Sequence, residues 1–144
     1  MITSRPFQKG EFVVEYAGEL ITDAGEAERR ELECGGTFML YFEYKSKSLW
    51  LVICTLFQVM LIIYICCMFF FYLSIDATTT ETRLGRLFNH SRKQFNVKPK
   101  IINIDGQPRV ALFAERYITI GEELLWDYGE RRKSVLKNNP WLKY

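Results

Sequence analysis

From Leu49 to Leu73 the chain runs for 25 residues without a charged side chain. Fifteen of these are Leu, Ile, Val or Phe. At roughly 0.3–0.6 kcal/mol each, they favour transfer into a bilayer by roughly 5–9 kcal/mol. As a helix the run would be about 37 Å long, enough for a hydrocarbon core of about 30 Å. No other feature narrows the fold so sharply. If the run crosses a membrane, residues 1–48 and 76–144 lie on opposite sides and cannot share a core. If they do share a core, the run is an insertion within it. Lys45 and Lys47 before the run, against Asp76 and Glu81 after it, would put the N-terminus of a single-pass protein in the cytoplasm. The run has no turn signals and few polar residues, so it does not read as a surface loop; a translated intron or a faulty gene model is the preferred reading.

The flanks are different material. The whole chain has 144 residues, the size of one domain, and a net charge of +2. That average hides a split. Residues 1–48 carry six Lys/Arg and nine Asp/Glu, a net of −3, whereas residues 76–144 carry thirteen and eight, a net of +5. A basic second half suits a negatively charged surface such as nucleosomal DNA, and equally an ordinary solvated face. Of the four cysteines, Cys54, Cys66 and Cys67 lie in the apolar run and Cys34 stands alone. No CxxC pair exists, so neither a disulfide framework nor a zinc site is expected, and reduced thiols are. The first residues, Met1 to Phe7, lack the apolar core of a secretion signal.

Residues 2–21 read as two short strands around a turn at Gln8–Glu11. Residues 23–33 read as a helix capped by Thr22 or Asp23 and stopped by Gly35-Gly36. Residues 37–44 are aromatic enough for a strand. After the run, residues 92–100 are basic and polar, which predicts a loop. Ile101–Asp105 and Arg109–Glu115 read as paired strands joined at Asp105-Gly106, with Pro108 opening the second. Ile118–Tyr128 holds another turn and strand, and Ser134–Asn138 a short helix. The sum is a mostly β fold with short helices, interrupted by a long apolar insert expected to be helical.

Four segments carry chemistry: Gly10–Gly18 (GEFVVEYAG), Arg83–Ser91 (RLGRLFNHS), Ala111–Gly129 (ALFAERYITIGEELLWDYG) and Asn139–Tyr144 (NPWLKY). In this order they resemble a SET domain, the fold of protein lysine methyltransferases. The tail is similar to the type that monomethylates histone H4. An RLxNHS segment followed by GEELxxDYG is far more specific than either alone. The resemblance implies small curved sheets with a knot-like threading of the chain end, S-adenosylmethionine on one face, a peptide lysine on the other, a narrow channel between them, and no metal.

It also implies residues. Tyr128 matches the family's catalytic tyrosine and Tyr16 one that helps line the lysine channel. Asn89 and His90 match the pair that contacts the cofactor, largely through backbone groups. Trp141 matches a tryptophan that packs on the adenine. Phe38 stands where relatives carry a cofactor-contacting tyrosine, so the ring is kept and the hydroxyl is not. Trp126 replaces the usual tyrosine of LLYDY at the position that limits methyl number, which predicts strict monomethylation or a blocked channel. Relatives carry a Gly-rich cofactor-gripping segment just before the position of Ile2. Read without the family, Tyr128 and Tyr16 are strand tyrosines, Trp141 an apolar anchor, and Asn89-His90-Ser91 a glycosylation sequon. Arg131-Arg132-Lys133 reads either as a DNA contact or as a solvated helix start.

Three functions stay open on sequence. The first is a lysine methyltransferase acting on the histone H4 tail in the nucleus, on the chromosome. The second is an inactive SET-like module that binds chromatin or peptide, and the third a single-pass membrane protein. The domain reading is 2–48 and 75–144 as two halves of one SET domain, with 49–74 as the insert.

Overall fold

The computed structural model describes residues 1–34, 38–44, 71–79 and 82–144. The chain divides into two compact units, one of residues 1–19 and 77–144, the other of residues 20–76.

The first unit is built on a three-stranded antiparallel sheet in the order β1 (Phe12–Tyr16), β7 (Gln107–Ala114), β6 (Val97–Ile104). Its central strand is the most buried, and Val110, Ala111 and Leu112 are all but inaccessible. That is where a strand flanked on both sides by partners belongs. β6 and β7 form a hairpin closed by Asp105 and Gly106, both with positive φ (51° and 82°). Asp-Gly suits such a two-residue turn because both central positions must adopt left-handed backbone. The Asn103 carboxamide oxygen accepts the Gly106 N–H at 3.0 Å and holds the turn. β6 starts at Val97, inside the stretch that sequence reads as a loop.

Two smaller pieces complete this unit. The N-terminal segment bridges the 118–123 segment at Ile2–Glu123 and Phe7–Ile118. β5 (Asn89–His90) and β8 (Leu125–Trp126) form a parallel pair, with Asn89 opposite Leu125 and His90 opposite Trp126. Between them Phe88, Val97, Ile118 and Leu124 are buried. A helix, α2 (Lys133–Asn138), and a 3-10 turn (Pro140–Lys143) end the chain, with Leu142 buried.

The second unit has a sheet in the order β2 (Glu19–Ile21), β4 (Phe71–Asp76), β3 (Met39–Tyr44) and the helix α1 (Ala24–Cys34). Asp23 caps α1, accepting the Glu26 N–H at 2.8 Å, as expected for a carboxylate before the first turn. Glu26 pairs with Arg29 and Arg30, and Arg29 with Glu33, along an exposed face. Arg30 also reaches Asp76 on β4 at 3.4 Å.

β3 and β4 pair from Met39–Asp76 to Tyr44–Phe71. Phe71–Ser74, assigned from sequence to the apolar insert, are therefore strand. The pairing bears on the membrane reading. Paired strands lie about 5 Å apart, so a chain leaving at Tyr44 and returning at Phe71 is back where it started. A single crossing would separate those ends by about 30 Å. The single-pass reading is corrected accordingly. Among the described residues, no helix is long and apolar enough to cross a membrane. The long apolar helix expected from sequence falls on residues outside the described ones.

Candidate active site

Five of the seven candidate residues meet in the first unit. The aromatic row starts at Tyr16, the buried last residue of β1, whose ring centroid lies 5.7 Å from that of Trp126. Trp126 on β8 is 3% exposed and meets Tyr128 edge to face at 5.3 Å. Tyr128 in turn touches His90 at 5.0 Å and Trp141 at 6.3 Å, and His90 touches Trp141 at 5.9 Å. Such tilted and edge-on pairs are the favoured aromatic geometries. Phe38 belongs to the second unit, in the turn before β3, half-buried.

Tyr128 is held at both ends. Its backbone N–H donates to His90 Nδ1 at 3.1 Å, and its hydroxyl donates to the Phe88 carbonyl at 2.6 Å. Burial pushes the hydroxyl above its ordinary pKa, so it stays a phenol at neutral pH. With its proton given to Phe88, the oxygen presents lone pairs to whatever approaches.

Asn89 is exposed, and its carboxamide donates to Glu123 at 2.7 Å. His90 Nε2 lies 3.1 Å from the Leu142 carbonyl. Trp141, one residue earlier, is clamped by the His90 and Tyr128 edges and still 55% exposed. A large, fixed, exposed indole beside the β5 backbone fits a flat aromatic ligand such as adenine. An open polar hollow of about 420 Å³, walled by Lys93, Arg116, Glu122 and Glu123, lies outside this aromatic row. The row, not the hollow, has the apolar walls and the fixed hydroxyl that the chemistry needs.

Two expected cations are engaged locally. Arg131 pairs with Asp127 at 2.5 Å and Arg132 with Glu130 at 2.6 Å. Each guanidinium holds its carboxylate partner below the usual range.

Three residues unremarked in the sequence organise the site. Asn96 is 1% exposed. Its carboxamide donates to Glu122 at 3.0 Å and to the Glu123 carbonyl at 2.7 Å, and accepts the Leu125 N–H at 2.9 Å, which fixes the approach to β8. Gly85, in the 3-10 turn Leu84–Leu87, lies so close to β1 that a Cβ there would overlap the Glu15 carbonyl. A glycine among good helix formers, in RLGRL, was the available signal. Glu122 accepts from Arg116, Asn96 and the Thr119 N–H, and the Arg116 guanidinium first of all lowers its pKa to about 2.

That shift predicts an acid sensitivity. Glu122 ionises more readily folded than at its ordinary 4.5, so its stabilisation is complete above 4.5 and is lost as pH falls towards 2. Glu122→Gln should be less stable than the parent at pH 7, and the two melting temperatures should converge between pH 4.5 and 2. Circular dichroism melts across that range check it; a constant gap would refute the assignment.

Comparison with known proteins shows the family. Residues 1–129 match the SET domain, and the chain belongs to the SET domain family. It is 43% identical to N-lysine methyltransferase KMT5A of Xenopus tropicalis over 99% of this chain and 36% of that protein. It is 37% identical to histone-lysine N-methyltransferase Set8 of Drosophila melanogaster, covering all of this chain and 18% of that protein. The chain thus spans about a third or less of the relatives' length. Among solved structures, CpSET8 from Cryptosporidium superposes with a TM-score of 0.62 at 31% identity, over 88% of this chain and 50% of that one.

Proposed function

We propose that the chain is the catalytic module of a protein-lysine N-methyltransferase that uses S-adenosylmethionine to monomethylate a lysine of the histone H4 tail, and so works in the nucleus on chromatin. Its halves, 2–48 and 75–144, are read as one SET domain flanking the uncharged run. The observation that carries this reading is the Tyr128 hydroxyl, fixed by Phe88 in the middle of an aromatic row. The named activities of the Xenopus and Drosophila relatives support it.

The cofactor, when bound, supplies an electrophilic sulfonium methyl group. The chain must do the rest. A free lysine with a pKa of about 10.4 is neutral in only about one molecule in 2,500 at pH 7. Rings of Tyr16, Trp126 and Tyr128 disfavour the ammonium by replacing its water. The Tyr128 lone pairs then accept an amine N–H and point the nitrogen at the methyl carbon, and alignment supplies the remaining gain. Trp141 offers its indole face to the adenine, the β5 backbone at Asn89–His90 offers polar groups beside it, and Phe38 is read as a further cofactor contact.

One observation favours a second reading, an inactive SET-like binding module. Trp126 is almost wholly buried between Tyr16 and Tyr128, where a lysine would pass. Mass spectrometry of an H4 tail peptide after incubation with purified protein and cofactor separates the two. We expect monomethyl product alone from the parent and added dimethyl product from Trp126→Phe, whose smaller ring leaves room. Abundant trimethylation by the parent would refute the steric assignment. Silence from both proteins, with the peptide still bound, would favour the inactive module.

A further inference from the structure

We infer that the His90 imidazole is a positioning residue with two separable jobs: one ring nitrogen sets Tyr128, and the other docks the turn that carries Trp141. This rests on the proposed methyltransferase reading and gives His90 a role in it distinct from cofactor contact. The argument begins with proton counting. A backbone N–H can only donate, so His90 Nδ1, 3.1 Å from the Tyr128 nitrogen, must be a bare acceptor. A neutral imidazole then carries its proton on Nε2, which faces the Leu142 carbonyl, an acceptor, at 3.1 Å. The geometry selects one tautomer, and both ring nitrogens are committed to protein. What His90 offers a cofactor is therefore its backbone, while its side chain joins three elements. These are β5, where it is paired with Trp126, the segment leaving β8 at Tyr128, and the terminal 3-10 turn. The ring also packs against both Tyr128 and Trp141, so the two candidate functional side chains lean on the same imidazole.

The two bonds separate by substitution, because asparagine places an amide near the Nδ1 position and glutamine near Nε2. His90→Asn keeps an acceptor for Tyr128 and loses the bond to Leu142. Losing one neutral hydrogen bond corresponds to about tenfold, so the cofactor KM should rise about tenfold with little change in kcat. His90→Gln keeps a donor to Leu142 and loses the Tyr128 acceptor, so kcat should fall about tenfold with little change in cofactor KM. The same parameter moving in both variants, or neither parameter moving, would overturn the assignment. A second measurement does not depend on turnover. The sequence holds one histidine, so imidazole ¹⁵N spectra of the parent report His90 alone. A protonated Nε2 with a bare Nδ1 is expected at neutral pH; the opposite tautomer, or an averaged ring, refutes the inference. If that tautomer is seen in a protein that transfers no methyl group, the methyltransferase reading has failed and the positioning geometry stands.

Discussion

Tyr128→Phe should fold and should lose nearly all methyl transfer. The variant keeps the ring and so keeps the edge contacts to Trp126, His90 and Trp141. It deletes the hydroxyl that the Phe88 carbonyl fixes within the aromatic row. The Phe88 carbonyl, on a residue only 2% exposed, loses its donor, a cost of about 1–2 kcal/mol in stability. The loss in rate is larger, because misplacing the reacting nitrogen by about 1 Å costs about a hundredfold. Single-turnover transfer to an H4 tail peptide, with both substrates saturating, measures it. A rate within twofold of the parent would exclude Tyr128 from the chemistry. A rate loss matched by collapse of the melting temperature would mean only that the fold had failed.

The second large effect is expected far from any reacting atom. Gly85→Ala should destabilise the first unit by about 2–3 kcal/mol, the upper range for forcing a methyl group into packed surroundings. The new carbon would overlap the Glu15 carbonyl and lie 3.0 Å from the Tyr16 Cα. Backbone cannot rotate away as a side chain can. β1 is also held on its other side, where Glu15 and Tyr16 pair with Ala111 and Val110 of β7. Strand and turn must therefore part, and Tyr16 moves relative to Trp126. Urea unfolding measures the loss, and a change in tryptophan fluorescence of the folded variant that is absent in a Trp126→Phe background reports the displaced ring. An unfolding midpoint equal to the parent's would show that β1 and the turn are not in firm contact.

These two residues show what a sequence can and cannot disclose. Tyr128 could be singled out as a candidate because its motif resembles a known one; the strand, the tyrosine and the following glycine share a short stretch. The β6–β7 hairpin was legible from Asp105-Gly106, where local backbone preference decides the structure. Gly85 and Asn96 were not, because their roles come from what approaches them across the fold; for Gly85 the only hint was a glycine among good helix formers, and Asn96 had none. β6 was half missed for another reason. Lys98, Pro99 and Lys100 have the composition of a loop, yet β6 is an edge strand in the sheet order. At an edge, proline need sacrifice no ladder bond and lysines discourage further pairing. At the positions of β7 paired on both sides, Val110 to Phe113, a proline would have cost a ladder bond. The apolar run misled most, since its composition argues for a crossing that the pairing of its ends does not allow.

That pairing has an evolutionary consequence. Tyr44 and Phe71 stand opposite each other at the connected end of the β3–β4 pair, so the two ends of the connection are held about 5 Å apart whatever its composition. The entropy of closing a loop grows only as the logarithm of its length. Lengthening a connection from about four residues to 26 costs about 1.7 kcal/mol, no more than an ordinary point mutation. The seam at Tyr44 and Phe71 is therefore a place where an accident of splicing could enter the fold and leave the strands on either side in register.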